Sequence, residues 1–140
     1  MQAKEIMGIK KIFMSIHTTM PKTLKPFYQQ ELDEFLTAFQ KKHYQVSWRH
    51  LERAHILAQP YPYEHTAVHW KMLKFGIKLK NSKEIIGQIP RLLIGGVKSF
   101  VGKIPVGNTG GANVPSLQPM EIPEDLLSII HNHQNLADDQ

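Results

Sequence analysis

Two short spacings in this sequence set potential metal ligands one helical turn apart. Glu52-Arg53-Ala54-His55 separates a carboxylate from an imidazole by three positions, and His65-Thr66-Ala67-Val68-His69 separates two imidazoles by four. On a helix both spacings return to the same face. Two imidazoles so placed can close on a single ion. Pro60 and Pro62 lie between the pairs and predict a tight reversal. Counted away from that turn, the two pairs fall at matching depth on adjacent helices. Glu31, at the edge of the apolar face of a preceding helix, could supply a further carboxylate. The expected metal ligands are therefore Glu52, His55, His65, His69 and Glu31. Gln59 and Asn108 are expected beside them, behind the ligands or facing a substrate.

The chain has no cysteine. Disulfides, thiolate nucleophiles, iron–sulfur clusters and cysteine-type zinc sites are thereby excluded. A nitrogen and oxygen donor set suits a divalent ion, Zn or Fe in the first place, without choosing between them. The pattern resembles part of a carboxylate-bridged di-metal bundle, which takes a Glu-x-x-His from each of two helices. Here His-x-x-x-His stands where the second such pair would be, so one metal is as plausible as two. The rival reading of the same residues is a buried hydrogen-bonded network with nothing bound. A metal with an open position would activate water or dioxygen. A metal-free Glu52–His55 acid–base pair is a weaker alternative, because no nucleophile can be named.

The elements that must position these groups read as helices. An apolar stripe of Tyr28, Leu32, Phe35, Leu36 and Phe39 predicts a helix over 26–42, with Thr23 a possible cap. Ser47 is the expected cap of a second helix over 47–59, whose inner face is Leu51, Ala54 and Ala58. Val68, Met72, Phe75 and Leu79 predict a third over 63–80, with Lys71, Lys74 and Lys78 on its far side. A fourth is expected over 82–94, capped by Ser82, kinked at Pro90 and ended by Gly95-Gly96. Ile85, Ile86, Ile89, Leu92 and Leu93 are its expected inward residues, and a second short helical piece is expected over 97–101. A last helix is expected over 123–135. No strand alternation of useful length appears. The Trp48-x-x-Leu51 helix start is like a tetratricopeptide unit, but no second copy follows.

The expected fold is all-α: a bundle of about four to five helices with a long wrapping loop rich in Gly, Pro and Asn. Residues 1–22 read as a flexible extension, 23–136 as one helical domain and 137–140 as a disordered tail. Within 1–20, Ile9, Ile12, Phe13 and Ile16 could form a short amphipathic helix, too short for a secretory signal. His17, His43 and His50 read as solvent-facing, and His131 and His133 as helix-end residues. The stretch Gly107-Asn108-Thr109-Gly110-Gly111-Ala112-Asn113 lacks the Lys-Ser/Thr of a phosphate loop and follows no strand. It is expected to be an ordered lid, pinned by Val114, Leu117, Met120 and Ile122.

Charge is divided along the chain. Of 140 residues carrying a net +5, those up to Lys103 include 17 basic and 7 acidic, whereas Ile104 onward has 5 acidic and none basic. An acidic tail folding over a basic body is the simplest reading. No nucleic-acid signature accompanies the charge, and no nucleic-acid partner is expected. Other partners and the oligomeric state are unknown from the sequence. No apolar run reaches the ~18 residues of a membrane span, so a cytoplasmic, soluble protein is expected. The lysines of the third helix and the basic, apolar stretch Arg91–Lys103 leave a protein-interaction or peripheral membrane-surface module as the alternative function.

The combination of Leu51-Glu52-Arg53-Ala54-His55-Ile56-Leu57-Ala58-Gln59, His65-x-x-Val68-His69-Trp70-x-Met72-Leu73, Pro105-Val106-Gly107-Asn108-Thr109-Gly110-Gly111 and Pro119-Met120 resembles a family of small bacterial proteins, domain of unknown function 3703. The likeness covers roughly 27–126. It implies a compact helical protein and carries no activity, cofactor or catalytic residue with it.

Overall fold

The computed structural model describes residues 19–100, 106–115 and 118–134, with the backbone alone for 94–100 and 134. Five helices follow in order: α1 Lys25–Gln40, α2 Tyr44–Ala58, α3 Pro62–Lys78, α4 Ser82–Phe100 and α5 Glu124–Gln134. No strand occurs among the described residues. The expected all-α bundle is the observed architecture. The expectations at Ile9, Ile12, Phe13, Ile16, His17 and Leu117, and for the 137–140 tail, lie outside the described residues.

Apolar residues at helical spacing build the core. Tyr28, Leu32 and Phe35 of α1 meet Leu51, Ala54 and Leu57 of α2. Val68, Met72 and Phe75 of α3 close the same cluster, and Leu126 and Ile130 of α5 complete it. Leu36, placed on the inner stripe by its spacing, is instead half exposed. The core reaches back to Met20, which is buried although it lies within the stretch read as an extension.

The turns set the antiparallel order. Lys42 and Lys80 both take a left-handed backbone, φ 60° and 54°. In each case the next amide folds back to a carbonyl five residues earlier, His43 N–H to Ala38 O at 2.9 Å and Asn81 N–H to Gly76 O at 2.9 Å. These bonds satisfy carbonyls that the helix ends would leave bare. Between α2 and α3 the reversal is tighter. The Tyr61 amide donates to Ala58 O at 2.8 Å, and Pro62 occupies the first turn of α3, where its missing N–H costs nothing.

Several helix ends differ from the sequence expectation. Ser47 is not a cap: α2 begins at Tyr44, and the buried Ser47 hydroxyl donates across the hairpin to the Phe35 carbonyl at 3.0 Å. Thr23 donates to His133 O at 3.0 Å. At α4 the cap is Asn81, whose side-chain oxygen accepts the Glu84 amide at 3.1 Å. α4 also runs through Pro90 and past Gly95-Gly96 to Phe100. Glycine weakens a helix interior by only about 1 kcal/mol per residue, so a pair of them does not compel an end.

The largest departure is the rotation of α4. Ile86, Ile89 and Leu93, expected inside, are exposed, while Glu84 and Gln88 are buried. The reason lies in the loop over 106–115. Its backbone carbonyls and amides are covered and must find partners. Polar side chains of α4 turn inward to supply them.

Candidate metal centre

α2 and α3 bring three imidazoles to one point. His55 from α2 and His65 and His69 from α3 meet through their Nε2 atoms, at 2.9 Å for His65–His55, 3.1 Å for His55–His69 and 3.2 Å for His69–His65. The ring centroids are 4.7 Å apart for every pair, and the ring planes are inclined by 54–70°. The arrangement is a three-bladed propeller with its nitrogens at the hub. These three are a group able to hold a metal ion. His55 and His69 are buried and His65 is half-buried.

The outer nitrogens define which form each ring takes. His55 Nδ1 donates to the Asn108 carbonyl at 2.8 Å. His69 Nδ1 lies 2.7 Å from Gln88 Oε1. The Gln88 amide nitrogen faces two acceptors, a Glu84 carboxylate oxygen and Gly110 O at 2.9 Å. That nitrogen must therefore donate outward, and Oε1 must accept from His69. Both rings thus carry their proton on Nδ1 and present an unprotonated Nε2 to the hub. Burial, together with His65 and His69 alongside, pushes the His55 pKa well below its ordinary value of 6.5. The site is built for neutral imidazoles.

The Gly-rich loop forms the wall on the α2 side. Asn108 is buried; its side-chain nitrogen donates to Pro115 O and Gln118 O, and its side-chain oxygen accepts the Gly110 amide. Gln59 Oε1 accepts the Gly107 amide at 3.0 Å. Arg91 of α4 donates to Gly111 O and Val114 O, at 3.1 and 2.8 Å. Glu84 accepts the Ala112 amide at 3.1 Å. Gln59 and Asn108, expected near the site, thus act by holding this loop, and Asn108 also holds His55 through its main chain.

The two carboxylates expected as ligands are engaged elsewhere. Glu31 is buried with both oxygens taken, by Arg53 Nε at 2.8 Å and His50 Nδ1 at 2.7 Å. Arg53 continues to Asp125 on α5, so this network ties α1, α2 and α5 together. His50 is accordingly part of an ion-pair network, where the sequence suggested a solvent-facing residue. Glu52 accepts the Trp48 indole N–H at 2.9 Å, and burial raises its pKa. Neither carboxylate belongs to the converging group.

Gln88 and Glu84 are the residues that sequence reasoning passed over. Their signal was a polar pair at i, i+4 inside an isoleucine-rich helix, facing the same way. Should the hub hold an ion, replacing Gln88 with leucine is expected to weaken its binding about 10- to 100-fold, the usual effect of losing a residue that orients a ligand. Metal titrations of the wild type and the variant check this.

The metal-free protein should also lose stability in acid. His55 binds a proton more readily unfolded than folded, so stability is full above about pH 6.5 and falls as pH drops below it. The limiting slope for one proton is about 1.4 kcal/mol per pH unit. Denaturant melts of the apoprotein across this window measure it, and His55→Gln should flatten the dependence.

The family model for a protein of unknown function, DUF3703, matches residues 22–130. No curated protein and no solved structure matches the chain. None of the five helices is long and apolar enough to cross a membrane among the described residues. With the match spanning α1 to α4, the histidine hub and the loop that walls it, this chain belongs to the DUF3703 family.

Proposed function

We propose that this protein binds one divalent transition-metal ion through Nε2 of His55, His65 and His69. The observation that carries this reading is the pair of Nε2 atoms of His55 and His69, 3.1 Å apart with both Nδ1 protons already committed outward. Two lone pairs then face each other in a buried site. A cation between them turns that repulsion into attraction. In the metal-free alternative, a neutral His65 carries its proton on Nε2 and donates it into the hub, 2.9 Å from His55 Nε2 and 3.2 Å from His69 Nε2.

The spacing suits a small ion. With metal–nitrogen bonds of ~2.0–2.1 Å, nitrogens 2.9–3.2 Å apart subtend roughly 90–100° at the metal. That value lies between the octahedral and tetrahedral ideals, so Zn and Fe are both accommodated. Glu31, paired with Arg53 and His50, and Glu52, bonded to Trp48, are not among the proposed ligands. Three protein ligands leave a coordination position for water or a substrate, as in catalytic zinc sites. Because all three ligands are neutral, the ion keeps its full charge to acidify that water.

Elemental analysis of protein purified without chelator, followed by titration of apoprotein with Zn²⁺ and with Fe²⁺ under anaerobic conditions, tests the reading. One ion per chain is expected. Absence of binding for both ions in folded apoprotein overturns it.

A further inference from the structure

The α3–α4 hairpin carries an apolar face that nothing in the fold covers. Gly76 of α3 packs against Ile85 and Glu84 of α4, and farther from the turn His69 meets Gln88, so the helices run antiparallel. At 100° per residue, Trp70 and Ile77 lie roughly 100–120° round α3 from Gly76. Ile86, Ile89 and Leu93 lie roughly 40–100° round α4 from Ile85, in the same sense. On antiparallel neighbours these rotations arrive on one side of the hairpin, away from Gln88, which lies about 60° the other way round α4 from Ile85. Exposure there is high: Trp70 52%, Ile77 53%, Ile86 69% and Leu93 76%.

The charge around this face has one sign. From His65 to Leu93 the chain has six basic residues and one acidic residue, and that one, Glu84, is buried. Lys74 and Lys83, about 160° round their helices in the same sense, are exposed at its rim. Lys74 Nζ stands 6.0 Å from the Trp70 ring. The acidic α5 does not neutralise these lysines: it packs on α2, and its Asp125 pairs with Arg53.

We propose that this face docks the protein on an anionic lipid surface. Isoleucine and leucine would enter the acyl boundary, Trp70 would sit at headgroup level, and the lysines would meet lipid phosphates. A second copy of the chain is a poor occupant, because pairing the face with itself would bring the lysine rims together. The proposal stands without a bound metal.

Co-sedimentation of the full chain with vesicles of phosphatidylcholine, alone or mixed with phosphatidylglycerol, tests it. Binding is expected only to the mixed vesicles, with a blue shift in emission that Trp70→Phe removes. Each lysine near such a surface contributes about fivefold in affinity, so Lys74→Glu/Lys83→Glu should lose tenfold or more. Ile86→Asp/Leu93→Asp changes only exposed side chains and should abolish sedimentation while leaving the helical circular dichroism intact. Three results would overturn the proposal: protein left in the supernatant with both vesicles, binding undiminished by the aspartate pair, or a dimer in solution that the same pair makes monomeric. Binding to duplex DNA that survives the aspartate pair, without binding to vesicles, would assign the lysines to nucleic acid instead.

Discussion

His69→Ala protein should fold, and its melting temperature should no longer respond to added metal. In the wild type, free ion at about 1,000 times its Kd stabilises by about 4 kcal/mol, which for a chain of this size raises Tm by roughly 10–15 °C. Removing one of three ligands leaves two imidazoles, whose hold on the ion should fall by more than the ~10–100-fold expected for an orienting residue such as Gln88. The metal-induced shift then vanishes at the same ion concentration. The apoproteins should differ less than the metal-loaded ones. Alanine removes the close approach of His69 Nε2 to His55, but it also opens a cavity and leaves the Gln88 carbonyl without its donor. His65→Ala provides an independent check, since His65 is half-buried and its loss disturbs the core less. If both variants keep the wild-type shift, the hub is a packing motif and the metal binds elsewhere.

The hub was legible because its geometry is local. Spacings of three and four positions on a helix, and a proline-punctuated turn between two helices, determine a shared face and a shared depth without knowledge of the rest of the fold. The carboxylates show where that logic ends. Glu31 lies on a correct inner face, yet Arg53 and His50, about twenty residues away, take both of its oxygens. Only the packing of α1 on α2 decides that competition. Glu52 shares a face with His55, but Trp48, one turn earlier, captures its carboxylate.

α4 failed for a different reason. Its isoleucines and leucines spread over a broad arc, so apolar periodicity alone permits several rotations. The loop's need for donors and acceptors selects the one that buries Glu84 and Gln88. The partner that holds His55 is a main-chain carbonyl, and no side-chain identity encodes it. Asn108 nevertheless stood out as a polar residue in a glycine-rich stretch, and its side chain proves to be what folds that stretch into place.

Gly110→Ala should damage both the fold and the metal centre, and it separates the loop's role from that of the ligands. Gly110 has φ +81°, a backbone conformation that strains any L side chain, at about 1–2 kcal/mol. An added Cβ would also lie 2.6–2.8 Å from three atoms of the His55 imidazole. The ring has no room to retreat, because its Nδ1 is bonded to Asn108 O and its far side meets the other two histidines. Either the loop lifts, breaking the Gln88 to Gly110 bond, or the ring tilts and carries Nε2 off the hub. A loss of about 2–4 kcal/mol in stability is expected, the range for overpacking combined with backbone strain, together with weaker metal binding. Gly111→Ala is the matched control. Its backbone is not left-handed, and the new Cβ would meet the exposed, movable Asn113 amide at 2.5 Å and Trp48 only at 3.3 Å. That variant should stay within about 1 kcal/mol of the wild type and bind metal normally. If Gly110→Ala does the same, the loop does not press on His55, and the imidazole is oriented by its helix alone.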